Sequence, residues 1–149
     1  MKSSLAKLAV MFLFMGLIFF CCMEGWGADW KQYFKTENSE YYFDAETLTS
    51  PSTFIIRTTV KFILTDKGVK SSVQRLGKAF ENIDYSIQSL EINCAVKTAN
   101  ILEVIIYSKT GDIITREDNS SSPDWRPIPP KTPHEALMKA VCQRSKEKR

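Results

Sequence analysis

The sequence predicts an α+β domain: an antiparallel sheet of about six strands with a C-terminal helix packed on one face and tied there by a disulfide. Three observations lead to this fold class. Apolar or β-branched residues recur at every second position of segment 53–64, which is typical of a half-buried strand. Thr132 opens a capping box, a signature of a helix N-terminus. Cys94 and Cys142 are the two cysteines that follow the N-terminal segment.

The first half of the chain predicts three strands. Trp30–Lys35 carries aromatic residues and ends in a polar turn, and Glu40–Asp44 is a second short strand followed by a loop through Pro51. The third strand, Thr53–Leu64, gives the clearest signal. Its inward set is predicted to be Phe54, Ile56, Thr58, Val60, Phe62 and Leu64. We expect the aromatic residues of the first two strands to pack across strands and into the core.

The second half continues the sheet. Thr65–Gly68 should end the third strand, and residues 69–77 have the spaced apolar residues of one or two helical turns. Further strands are predicted at 85–94, 101–107 and 112–116. Gly111 ends the turn between the last two, which indicates a hairpin. No βαβ alternation is visible, so the pattern favours an antiparallel sheet.

A proline-rich segment precedes the final helix. Prolines at positions 123, 127, 129 and 130 follow a polar linker at 119–122. Proline fixes φ and favours extended backbone, so this segment should form a stiff strap across the domain. We expect Trp125 and Ile128 to pin the strap to the sheet.

The final helix should begin with Thr132 as N-cap, Pro133 at the first helical position and Glu135 completing the capping box. Leu137, Met138, Val141 and Cys142 then share one face at helical spacing. Cys94 falls on the inward face of its strand, together with Leu90 and Ile92. Both periodicities therefore direct the two sulfurs to the same interface, and we predict a Cys94–Cys142 disulfide.

The first 27 residues have the layout of a secretory signal peptide. Lys2 and Lys7 precede an apolar run, and small residues flank a cleavage site between Gly27 and Ala28. Residues 28–149 would then form one extracytoplasmic domain, in the periplasm or at the outer membrane or cell surface of a Gram-negative bacterium. Two alternatives would tether the protein to the membrane: an uncleaved anchor, or lipidation at Cys21 or Cys22. Bulky Phe20 argues against lipid processing, and the apolar run is short for a membrane span.

Composition and motifs give no sign of catalysis. The formal net charge of +3 is spread along the chain, which argues against a nucleic-acid partner. The chain has one histidine, His134, in the first turn of the predicted helix, where a surface or capping role is expected. No Cys-x-x-Cys pair, calcium loop or glycine-rich phosphate loop is present. We therefore expect no enzyme activity, no cofactor and no metal.

Several segments resemble the bacterial surface-adhesin protein E family. They are Trp30–Tyr33, Tyr41–Asp44, Val60–Phe62, Glu91–Cys94, Trp125–Pro130 and Val141–Cys142. The resemblance implies an antiparallel sheet with a C-terminal helix tied back by a disulfide. It also implies an outer-membrane adhesin that dimerises and binds host extracellular proteins such as vitronectin, laminin and plasminogen. No dense basic cluster marks such a site here, so no binding residue is carried over.

The leading hypothesis is therefore an exported, non-enzymatic bacterial envelope protein that is adhesin-like and binds a protein partner, through a sheet edge. The partner would be a host extracellular matrix protein or an envelope protein, and the protein itself could form a homodimer. Two alternatives stay open. One is a periplasmic enzyme or small-ligand carrier with a pocket between sheet and helix, and the other is an inhibitor of an enzyme such as lysozyme.

Overall fold

One antiparallel sheet organises the domain. The computed structural model describes the backbone of residues 27–147 and the side chains of residues 27–143, so the predicted leader before Gly27 lies outside the described residues. The strands are β1 Trp30–Lys35, β2 Ser39–Asp44, β3 Thr49–Ser52, β4 Ile55–Leu64, β5 Ile83–Asn93, β6 Thr98–Ser108, β7 Ile113–Asp118 and β8 Arg126–Pro127. The helices are α1 Asp66–Leu76, a 3-10 turn Lys78–Phe80 and α2 Pro133–Glu147.

The strand order is β1-β2-β4-β5-β6-β7, and two short strands complete the sheet. β3 pairs with the first residues of β4, and β2 pairs with the last residues of that strand. In the same way, β8 pairs with the first residues of β6, and β7 pairs with the later residues of β6. Every pairing is antiparallel. The predicted fold class is therefore confirmed. The two short strands were not expected, because a four-residue and a two-residue strand are too short to show a period.

The inner face of the sheet carries the core. Phe43, Ile56, Val60, Leu90 and Ile92 are almost fully buried there beneath Leu137 and Val141 of α2. Each fully buried aliphatic or aromatic side chain contributes about 1.5–3 kcal/mol relative to exposure. The predicted strand and helix periodicities thus identify the residues that form this interface.

Helix α2 begins as the sequence predicts. The Thr132 hydroxyl oxygen accepts a hydrogen bond from the Glu135 amide at 3.3 Å. The Glu135 carboxylate reaches back one residue further than a capping box requires and accepts from the Lys131 amide at 2.8 Å. Near the other end of the helix, Cys142 is bonded to Cys94, with their Cα atoms 5.9 Å apart. None of the helices in the described range is long and apolar enough to cross a lipid bilayer.

Helix α1 is longer than the one or two turns predicted, and its start was mistaken for a turn. Thr65 is its N-cap and accepts a hydrogen bond from the Gly68 amide at 3.2 Å. Gly68 packs so tightly that a Cβ would overlap the Asn38 carbonyl oxygen and lie 3.0 Å from Leu64 Cδ2. The close contact with the β1–β2 turn therefore requires glycine at position 68, although glycine has a low helix propensity.

Two predicted core residues lie elsewhere. Phe54 precedes β4 and is 57% exposed, because β4 begins at Ile55. Trp125 is 36% exposed and does not join the core, whereas Ile128 packs against the core as expected. The register of the strap decides this difference: Pro127 lies opposite Thr98, and the Ile128 amide donates to the Lys97 carbonyl at 3.0 Å.

Candidate functional site

The second face of the sheet is covered by no helix in the described part of the chain. Helix α2 and the strap pack on the inner-face side, and α1 contacts the β1–β2 turn and Leu64, which belongs to the inner-face register of β4. Two rows of cross-strand partners run across this open face from β4 to the edge strand β7. One row is Ile63, Tyr85, Tyr107 and Ile113, and the next is Lys61, Ile87, Ile105 and Arg116. We call these eight residues the open face.

Aromatic stacking gives the open face a rigid centre. The Tyr85 and Tyr107 rings stack with centroids 4.8 Å apart and an interplanar angle of 18°. Lys61 Nζ lies 4.3 Å from the centroid of the Tyr85 ring, a cation–π geometry. Ile113 at the margin is 53% exposed. Directly opposed cross-strand pairs interlock, so this apolar centre is held in place before any partner arrives.

The margin of the open face is charged, and its charges are paired within the protein. Arg57 NH2 lies 2.6 Å from Glu91, and Arg116 NH2 lies 2.5 Å from Glu103. Lys35 lies 2.6 Å from Glu40. Hydrogen bonds from Lys35 and Tyr42 lower the pKa of the Glu40 carboxyl. The margin is polar but close to neutral.

A second concave feature lies on the inner-face side, between the sheet and the strap. This strap cleft has a volume of about 590 Å³. Its apolar lining is Ala99, Ile101, Val104, Pro127, Ile128 and Pro129, and its polar lining is Glu117, Asn119, Ser122, Asp124, Arg126 and His134. A cleft of this size and apolar character is within the range of small-molecule sites.

His134, the single histidine, lies at one wall of the strap cleft rather than on an open surface. Burial lowers the pKa of its imidazole, because a low-dielectric environment disfavours the charged form. The side chain is therefore mainly neutral at pH 7. A neutral imidazole can both donate and accept a hydrogen bond.

The aromatic residues of the first two strands divide between the faces. Tyr33, Phe34, Tyr41 and Phe62 form edge and stacked contacts on the inner side. Burial raises the pKa of the Tyr33 phenol well above its ordinary value. Tyr42 points to the other side, where its hydroxyl donates to Glu40 at 2.7 Å. The predicted packing role of this cluster is thus what the structure shows.

Of the predicted site residues, the structure joins Cys94 and Cys142 in the disulfide. Gly27 and Ala28 are exposed at the start of the described residues, and cleavage between them stays a prediction. Among the described residues, no group of His, Cys, Asp or Glu side chains could hold a metal ion.

Sequence reasoning missed the open face. Tyr85 and Ile87 alternate with Ser86 and Gln88 along β5. This alternation is visible in the sequence and predicts a second apolar face on that strand. The predictions assigned only one apolar face to that strand. Strands with apolar residues on both faces signal either a second packing layer or a docking surface.

The comparisons with known proteins agree with the geometry. No curated protein and no solved structure gave a significant match. A family model described as surface-adhesin protein E matches residues 30–143, a range that includes every strand, α1 and both cysteines of the disulfide. This match confirms the resemblance expected from the sequence, and the chain belongs to the surface-adhesin protein E family.

Proposed function

We propose that this protein is an exported, non-enzymatic component of the bacterial surface that binds a partner protein through its open face. The observation that carries the proposal is the apolar centre around the stacked Tyr85 and Tyr107 rings, which no helix of the described residues covers. Contiguous apolar patches with a polar margin mark interaction sites more often than ordinary surface. Membership of an adhesin family supports a binding role.

The charge pattern defines the kind of partner. The margin cations Lys35, Arg57 and Arg116 are held by carboxylates of the same molecule, and Lys61 lies over the Tyr85 ring. Little charge beyond that of Lys61 is therefore left to attract an oppositely charged surface. The partner is therefore a protein, from the host extracellular matrix or the envelope, that presents an apolar patch of its own. Because screening acts mainly on exposed unpaired charges, binding should persist at high salt.

A domain that begins at Ala28 is consistent with the contacts of Asp29. The Asp29 amide donates to buried Asp44 Oδ1 at 2.9 Å, and the Asp29 carbonyl accepts from the Ala45 amide at 2.9 Å. The family match begins at Trp30. A chain cleaved after Gly27 would keep these contacts. Residues 28–149 would then form one domain.

Affinity capture with the mature domain tests the binding role. Envelope extracts and purified matrix proteins are passed over immobilised protein at low and high salt, and at least one protein should be retained at both. Retention that disappears at moderate salt would point to a charge-driven contact and contradict the open-face proposal. Retention of no protein above background at any salt would contradict binding itself.

Matched variants then locate the contact. Ile113→Thr removes an exposed apolar side chain from the open face, and Val96→Thr makes the same kind of change on the β5–β6 turn, where Val96 is 66% exposed. Ile113→Thr should weaken partner binding by about five- to tenfold, or ~1–1.4 kcal/mol. Val96→Thr should leave it unchanged. Equal effects of the two substitutions would rule out the open face as the binding surface.

The mass of the mature N-terminus tests export. Protein recovered from a fractionated Gram-negative host should begin at Ala28. A lipidated N-terminus at Cys21 or Cys22, or a chain that retains Met1, would replace cleavage with a tether. Light scattering on the same sample would show whether the domain forms a homodimer. If Ile113→Thr dissociates that dimer, the partner that binds the open face is a second copy of this protein.

A further inference from the structure

The strap cleft lies on the opposite side of the sheet from the open face, and its construction is independent of partner binding. Its floor consists of inner-face residues of β6, and its far wall is the proline-rich strap. The apolar part of the lining can enclose a hydrophobic body. Its polar groups are gathered on the strap, on β7 and at the start of α2.

The strap is fixed at both ends of the cleft, so the cleft is preformed. The Asn119 amide donates to the Leu102 carbonyl at 2.7 Å, and the Asp124 amide donates to buried Asn100 Oδ1 at 3.0 Å. Pairing of β8 with β6 and the packing of Ile128 hold the other end. A site that is already ordered loses little entropy when a ligand binds.

The charges of the lining do not cancel. The Arg126 guanidinium is occupied by Asp124, with Nε 2.7 Å and NH2 2.5 Å from the same carboxylate oxygen. Among the described residues, no side chain forms an ion pair or a hydrogen bond with the exposed Glu117 carboxylate; the neighbouring Arg116 pairs with Glu103 on the open face. With His134 neutral, the lining carries one uncompensated negative charge.

We propose that the strap cleft binds a small amphipathic cation, whose apolar body lies against Ile101, Val104 and Ile128 and whose ammonium group pairs with Glu117. The volume of about 590 Å³ leaves room for a bicyclic aromatic amine. An anionic ligand would be repelled by the unpaired Glu117 carboxylate, and a purely apolar ligand would gain no electrostatic attraction from it.

Three probes with the same indole body test the charge preference: tryptamine, neutral tryptophol and indole-3-acetate. Each is titrated into isotopically labelled mature protein, and the methyl shifts of Ile101, Val104 and Ile128 are followed by NMR. Tryptamine should bind about two- to fivefold more tightly than tryptophol, the range expected for one exposed ion pair, and indole-3-acetate should bind most weakly. Indole-3-acetate binding as tightly as tryptamine, or no saturable shift of these methyls, would overturn the proposal.

A matched pair of substitutions tests the role of Glu117. Glu117→Gln should abolish the preference for tryptamine over tryptophol, whereas Glu81→Gln, a similar change at an exposed position beside the 3-10 turn, should preserve it. A preference that survives Glu117→Gln would remove this residue from the site. Ile113→Thr should leave all three affinities unchanged, so failure of the open-face proposal and failure of this one are separately visible.

Discussion

Replacing both bridging cysteines, Cys94→Ala with Cys142→Ala, should cost the domain a large part of its stability. The bond joins residues 48 positions apart, and closing a loop of that length removes about 4 kcal/mol of unfolded-chain entropy in the chain-entropy model. A domain of this kind has a total stability of about 5–15 kcal/mol. Both cysteines are only partly buried, so the loss of packing around the sulfurs should add little.

Urea unfolding followed by tryptophan fluorescence measures the effect. For m-values of about 1–3 kcal/mol per M, the midpoint should fall by roughly 1.3–4 M. Wild-type protein in reductant is the matched control: it should unfold near the midpoint of the double variant, which reductant should not change. A loss below about 1 kcal/mol would refute the reasoning, because it would mean that residual structure already restricts the unfolded chain or that strain in the native state offsets the entropic gain.

The remaining predictions concern Gly68 and His134. Gly68→Ala should destabilise the domain by about 1–3 kcal/mol, as overpacking does, because its Cβ would overlap backbone at Asn38; an unchanged thermal midpoint would contradict that close approach. Burial lowers the pKa of His134, so the unfolded chain binds more protons than the folded one as pH falls below about 6.5, and stability should decrease there. His134→Gln should reduce the dependence of the unfolding free energy on pH between pH 7 and pH 5. If that dependence is unchanged, other titratable groups cause it.

The central strand and the final helix were predictable because their patterns are local. In β4, Ile56, Thr58 and Val60 alternate with polar residues, and in α2, Leu137 and Val141 repeat at helical spacing. The two cysteines then lie on the faces that these periods define. For such elements, the side that is buried follows from the sequence pattern alone.

The other features depend on contacts between distant residues. Helix α1 is polar and contains Gly68, so its extent is set by packing against Asn38 and Leu64, which no local pattern encodes. The strap has the extended backbone that its prolines require, but whether Trp125 or Ile128 turns inward depends on its register with β6. The strap cleft arises from that same register, so its lining could not be derived from the sequence, although the strap itself was predicted.

The position of the disulfide also determines how the molecule would carry mechanical load. Pulled from its two ends, the chain could extend only outside the covalent loop, and the 48-position separation would withhold about 160 Å of contour length at roughly 3.4 Å per residue. Strands β6, β7 and β8 lie inside that loop, and so does every residue that lines the strap cleft. Tension would therefore peel the edge strand β1 and the outer segments first. The segment that carries the whole lining of the cleft would stay unextended while the molecule was stretched.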